Sequence, residues 1–198
     1  MGFLDSRSMT LTEFRVSGPL PADHRVRFVM DIERCAFTSK DDVGEAELVC
    51  GWTRPGQAFE PPAEQDLFAG SYLLLSFRMD RRSVPARLLK HRSVREADRL
   101  MQERGVERLS RREKREIRDR VHASLLKQTL PGIRVFDVAW HLDGGRVLFT
   151  GSGQHVCNLF TELFERSFGL SLTRETLKSR TERVLLDATR QKAGRRAG

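Results

Sequence analysis

The sequence has few of the features that would tie it to an oxidising or lipid environment. Three cysteines among 198 residues, Cys35, Cys50 and Cys157, lie far apart, and there is no C-x-x-C pair. An odd count at such spacing excludes a disulfide framework and points to buried thiols in a reducing, cytosolic compartment. No apolar run is long enough to span a bilayer, and the first residues lack the apolar segment of a secretory signal. Residues 1–9 read as a flexible leader. Histidines 24, 91, 122, 141 and 155 show no ligand spacing and read as structural. Asp41, Asp42, Glu45 and Glu47 are the densest carboxylates, but no E-x-K on a buried strand accompanies them, so they read as solvated surface rather than a divalent-metal nuclease site. Gly151-Ser152-Gly153 is too short for a phosphate loop. Zinc fingers, aromatic ribonucleoprotein motifs and recognition-helix signatures are all missing. No catalytic residue, metal or cofactor is therefore expected.

What the sequence does have is charge in one place. Residues 81–128 hold 16 Lys+Arg against 7 Asp+Glu, a net of +9, whereas the whole chain is only +8. Residues 174–198 hold 8 against 3, a net of +5, so the remainder (1–80 and 129–173) is acidic, at −6. An acidic body with one strongly basic helical element and a basic tail matches a partner that carries a regular array of negative charge, most often nucleic acid. Arginine dominates the basic element, and its planar fork grips phosphate oxygens bidentately. Pairing along a helix, as between Glu116 and Arg120 at i,i+4, can neutralise at most seven of the sixteen cations. The candidate DNA contacts are Arg81, Arg82, Arg87, Lys90, Arg95, Arg111, Arg112, Lys114, Arg115, Arg118 and Arg120, with Arg87, Lys90 and Arg95 near one another on the first helix. Charge without base-reading chemistry predicts sequence-independent, salt-sensitive binding.

Periodicity supplies the framework. Thr10–Ser17 alternates and reads as a strand closed by Gly18-Pro19. His24–Ala36 has the pattern of an amphipathic helix, and Glu45–Trp52 alternates again. Thr53–Pro62 is a loop. Ser71–Met79 reads as a strand buried on both faces. Pro85 suits a helix start, and that helix runs to about Arg104 before Gly105 caps it. Ser110 and Glu113 form a capping box for a second helix, which ends near Thr129 and Pro131-Gly132. Ile133–His141 and Arg146–Thr150 form a hairpin about Asp143-Gly144-Gly145. His155–Phe168 carries Val156, Leu159, Phe160, Leu163, Phe164 and Phe168 on one wide stripe. That stripe covers either the sheet of its own chain, the favoured case, or a second subunit. Trp52, Trp140 and Cys157 read as core. The residues beyond Thr173 are helix-compatible and basic. The fold expected is α+β, a mixed or antiparallel sheet covered by helices with an inserted basic helical hairpin. The body is 10–80 and 131–172, the insertion 81–130 and the tail 173–198.

The order of these parts resembles the bacterial recombination-associated RdgC family. The matching pieces are Cys35-Ala36-Phe37-Thr38 after an amphipathic helix, Gly51-Trp52-x-x-Pro55, the strand Tyr72–Phe77, and Val84-Pro85 opening an Arg/Lys-rich hairpin. Leu125-Leu126…Leu130-Pro131, then Trp140 before a turn and strand, and the final amphipathic helix complete the series over residues 10–172. The resemblance implies a DNA-binding protein without sequence preference, a ring-shaped homodimer around duplex DNA, restraint of the RecA recombinase, and a nucleoid-associated cytoplasmic location. Some members carry the label exonuclease. Family members are longer, with a further C-terminal domain where this sequence has its basic tail, and they favour aromatic and basic residues near the position of Gly132-Ile133-Arg134. The function expected is thus non-catalytic, sequence-independent DNA binding tied to recombination or replication. The alternatives are a DNA-end exonuclease and a protein-interaction module docking on an acidic partner.

Overall fold

The computed structural model describes residues 10–38 and 46–176. The leader 1–9, the carboxylates Asp41, Asp42 and Glu45, and the tail from 177 onward lie outside the described residues. The fold is α+β. In chain order the elements are β1 (Thr12–Ser17), α1 (His24–Arg34), β2 (Leu48–Thr53), α2 (Glu64–Leu67), β3 (Phe68–Ala69), β4 (Tyr72–Arg81), α3 (Ala86–Arg104), α4 (Arg111–Lys127), β5 (Gly132–His141), β6 (Arg146–Phe149), α5 (Gln154–Phe168) and β7 (Ser171–Arg174). The strands form one sheet in the order β2-β4-β5-β6-β1-β7, with β3 paired to β4. Pairing is antiparallel between β5 and β6, β6 and β1, and β1 and β7.

Three short elements escape the sequence pattern. Helix α2 and strand β3 together span Glu64–Ala69, too few residues for either period to show. Strand β7 sets Leu172 opposite Val16, so the body extends to Arg174 and the first residues of the expected basic tail are strand. Only Leu172 of its four residues is buried, which leaves no alternation to read. The expectation of buried thiols holds for Cys157 alone, because Cys35 and Cys50 are half-buried.

The chain divides into two compact units. One comprises Met1–Phe37, Cys50–Arg78 and Val135–Gly198, and the other Thr38–Val49 and Met79–Arg134. The second unit is larger than the inserted hairpin, since the chain leaves the first unit inside β4 and returns to it inside β5.

The first unit is built on aromatic packing. The Phe160 ring lies parallel to Phe149, with centroids 4.1 Å apart and planes 7° apart. Phe14, Phe77 and Trp52 meet the same ring edge-on at 5.3, 5.9 and 6.2 Å. The stripe of α5 thus covers the sheet of its own chain, the favoured case of the two. Leu159 is its half-buried margin, while Val156, Leu163, Phe164 and Phe168 are buried. Each of these rings removes apolar surface from water, worth about 1.5–3 kcal/mol per fully buried side chain. Trp52 and Trp140 are core, at 0% and 1% exposure. The Trp52 indole donates to Ser167 Oγ at 2.8 Å, which satisfies its one polar group.

Gly51 is required here by a close backbone approach. Phe37 donates its amide to the Trp52 carbonyl at 2.8 Å, and Trp52 donates to the Cys35 carbonyl at 3.1 Å. A Cβ on Gly51 would stand 2.4 Å from Phe37 Cα.

The second unit carries the helical hairpin. Pro85, extended at φ −59° and ψ 126°, is the N-cap of α3 rather than its first helical residue. Its carbonyl accepts from Leu89 at 3.0 Å. Gly105 ends α3 in the left-handed region at φ +62°, which glycine adopts without cost. Helix α4 opens with the expected capping box: Ser110 Oγ accepts from the Glu113 amide at 3.2 Å, and the Ser110 amide donates to Glu113 Oε2 at 2.8 Å.

Candidate nucleic-acid interface

The basic residues singled out from sequence all fall in the second unit. Arg81 closes β4 and is exposed, and Arg82 follows it, half-buried, with its amide donated to the Glu47 carbonyl at 2.8 Å. Arg87, Lys90 and Arg95 stand exposed on α3, and Arg111, Arg112, Lys114, Arg115, Arg118 and Arg120 stand exposed on α4. The reason is the composition of the two helices. Only Leu89 of α3, and Ile117 and Leu126 of α4, are buried. The facing stripe is therefore narrow, and most of each helix circumference is left to charge.

The structure sorts these cations by phase. Arg111, Lys114, Arg115 and Arg118 follow i, i+3, i+4, i+7 and share one side of α4. Lys90, Lys114 and Arg118 line a groove of about 710 Å³ whose floor includes Leu89, Val94, Ala97 and Met101. Arg95 and Arg120 line a second groove, of about 760 Å³, together with Arg92 and Arg99. Lys90 and Arg95, expected near each other, thus line different grooves. Five helical steps place two side chains about 140° apart around the axis. Arg81, Arg82, Arg87, Arg111, Arg112 and Arg115 line neither groove.

Ion pairing also separates them. Arg112 Nε lies 2.8 Å from Glu116 and Arg115 Nε lies 3.9 Å from Asp119. Glu116 thus pairs with Arg112, not with the Arg120 that i,i+4 spacing suggested. Arg99 binds both Glu96 at 2.6 Å and Glu103 at 3.0 Å, and Arg104 reaches across the turn to Glu113 at 2.7 Å. The hydrogen bond from Arg99 holds the Glu96 carboxyl below its ordinary range. Hydrogen bonds from the Ser110 hydroxyl and amide, with Arg104, do the same for Glu113. Arg81, Arg87, Lys90, Arg95, Arg111, Lys114 and Arg118 make no ion pair among the described residues. These are among the cations left for an external anion.

Sequence reasoning missed Arg108 and Arg92. Arg108 lies in the turn between the helices, where helical spacing assigns no phase, yet it lines the first groove. Arg92 is two residues from Lys90 and faces the other groove. Outside the hairpin, Arg78 is only 9% exposed. Its guanidinium lies 4.0 Å from the Phe37 ring centroid and 4.8 Å from that of Phe59. It is a packed cation rather than a free one. His122 Nε2 stands 3.7 Å from Glu47. Among the described residues, no group of three or more His, Cys, Asp or Glu is placed to hold a metal ion, and no helix is long and apolar enough to cross a membrane.

No protein-family model matches the sequence, and no curated protein matches it.

Proposed function

We propose that this protein binds DNA without sequence preference and without catalysis, through the α3–α4 hairpin. In this reading it is a nucleoid-associated cytoplasmic protein that modulates recombination or replication as the RdgC family does, by restraining the RecA recombinase, and it acts as a homodimer. One observation carries the DNA-binding part. Arg111, Lys114 and Arg118 are exposed along one side of α4 and make no ion pair among the described residues. Uncompensated like charges at that spacing repel one another, and a phosphate backbone relieves the repulsion while releasing its own counterions. The resemblance in the order of parts supports the recombination context.

The test is a gel-shift series over salt concentration, with duplexes of unrelated sequence. If about five phosphates are neutralised, log K falls against log salt with a slope of about −4 to −5. Salt-independent affinity or strong preference for one duplex would overturn sequence-independent electrostatic binding. Metal-dependent shortening of the DNA from its ends would overturn the non-catalytic reading in favour of an exonuclease.

A further inference from the structure

The two grooves of the hairpin carry similar charge but differ in composition. The second is lined mainly by charged and polar side chains, and its Arg99 is already held by Glu96 and Glu103. The first has an apolar floor, with Val94 as much as 51% exposed. Around that floor stand Lys90, Arg108, Lys114 and Arg118, none with an ion pair or hydrogen bond among the described residues. Asp98 and Glu107 also border it, so cations outnumber carboxylates two to one.

A phosphate backbone has no use for the floor. Base edges and sugars sit behind the phosphates, and contact with the exposed Val94 and the half-buried Met101 adds nothing to a purely electrostatic grip. A peptide has a use for both parts. An amphipathic segment seats its apolar side chains on Val94, Ala97 and Met101 while carboxylates along its flanks meet the four cations. Methionine suits such a floor because its unbranched thioether adapts to different apolar shapes. The length fits a helix: from Ala86 to Met101 the groove follows α3 for about 22 Å, at 1.5 Å per residue.

We infer that this groove is a docking site for an acidic amphipathic helix of a partner protein, which shares Lys114 and Arg118 with the surface proposed to meet DNA but adds the apolar floor. The inference does not depend on the DNA reading. It identifies the partner by chemistry: leucine-like residues at i, i+3, i+4, i+7 flanked by Glu or Asp.

The test uses the full-length chain and a fluorescently labelled synthetic 16-residue peptide of Leu and Glu in that pattern (an arbitrary probe length chosen to match about four helical turns). A second peptide of the same composition has its leucines scrambled off one face. Anisotropy titration should give saturable binding of the patterned peptide and at least tenfold weaker binding of the scrambled one. Val94→Gln, an uncharged change at a half-exposed site, should weaken the patterned peptide at least tenfold while leaving the affinity for a duplex unchanged. Lys114→Glu should weaken both ligands. Far-ultraviolet circular dichroism checks that each variant keeps its helices, and Val94→Ser replaces Val94→Gln if that variant does not. Equal binding of the two peptides, or no effect at Val94, would reduce the site to nonspecific charge and overturn the inference. Loss of duplex binding in the Val94 variant would assign the groove to nucleic acid instead. A concentration-dependent dimer that dissociates in that variant would assign it to a second copy of this chain, which also overturns it.

Discussion

Two regions of one chain are stabilised by different physics. In the first unit Phe160 touches five aromatic rings, and Phe28, Trp140, Phe164 and Phe168 form a second group of rings 4.8–5.3 Å apart. In the hairpin, Leu89, Leu109, Ile117 and Leu126 are the buried apolar residues. Its helices are defined instead at their ends, by Pro85, Gly105 and the Ser110–Glu113 box, and along their sides by ion pairs. Exposed ion pairs are worth little individually. The body is therefore a stability device, and the hairpin is a charge display on a lightly stabilised scaffold. Each region should respond to substitution in its own way.

The sharpest contrast lies in the body. Truncating a buried Phe costs about 3–5 kcal/mol, out of about 5–15 kcal/mol for a whole domain. Phe160→Ala should lower the denaturation midpoint strongly when followed by tryptophan fluorescence, because Trp52 and Trp140 both belong to this unit. The loss should not change with protein concentration, since all five rings around Phe160 belong to its own chain. A midpoint equal to that of the unaltered protein would mean that the stacked ring contributes nothing.

The hairpin should show the reverse. Replacing Arg111, Lys114 and Arg118 together by alanine should make the salt slope of DNA binding shallower by about three units, about one per lost phosphate contact. Surface substitutions usually change stability by no more than about 0.5 kcal/mol, so the tryptophan-detected midpoint should stay in place. An unchanged slope would move the DNA contact off this side of α4.

The same contrast explains what could be read from the sequence. Long elements with strong periods were legible: the stripe of α5, the doubly buried β4, and both helices of the hairpin with their caps. The capping box is a local rule needing only Ser110 and Glu113, so no tertiary knowledge was required. Strand β7 was not legible because four residues with one buried Leu172 carry no period, and only pairing with β1 makes them a strand. The charge of the candidate site was legible as a sum but not as an arrangement. Pairing of Arg112 with Glu116, and the separation of Lys90 from Arg95, depend on helix phase and rotamer choice. The apolar floor between Leu89 and Met101 was hidden for the same reason, since a count of charges does not show which side chains share a groove.

A smaller effect tests the claim that the hairpin is defined at its ends. Removing an N-cap hydroxyl costs about 1 kcal/mol. Ser110→Ala should therefore raise amide exchange in the first turns of α4 and leave amides in the α5 core at their original rates. Uniformly faster exchange throughout the chain would show that the two regions unfold as one.

The smallest expected effect is acid dependence, and it belongs to the hairpin. The Glu113 carboxylate accepts from the Ser110 hydroxyl and amide and from Arg104, and so titrates below its ordinary value of 4.5 in the folded chain. Glu96, held by Arg99, is lowered in the same way. A group whose folded value lies below its unfolded one stabilises the fold fully above the unfolded value, and loses that contribution as pH falls through the folded value. The first turns of α4 should thus be unaffected by pH between 7 and about 5, then loosen as acid protonates Glu113. Glutamine keeps the shape of the side chain and cannot titrate. In Glu113→Gln the acid-dependent part of the α4 exchange rates should shrink, while the body, followed by tryptophan fluorescence, keeps its original acid profile. Identical acid profiles for α4 in the two proteins would mean that the capping carboxylate does not hold the turn, and that the fixed cap of Ser110 alone sets where α4 begins.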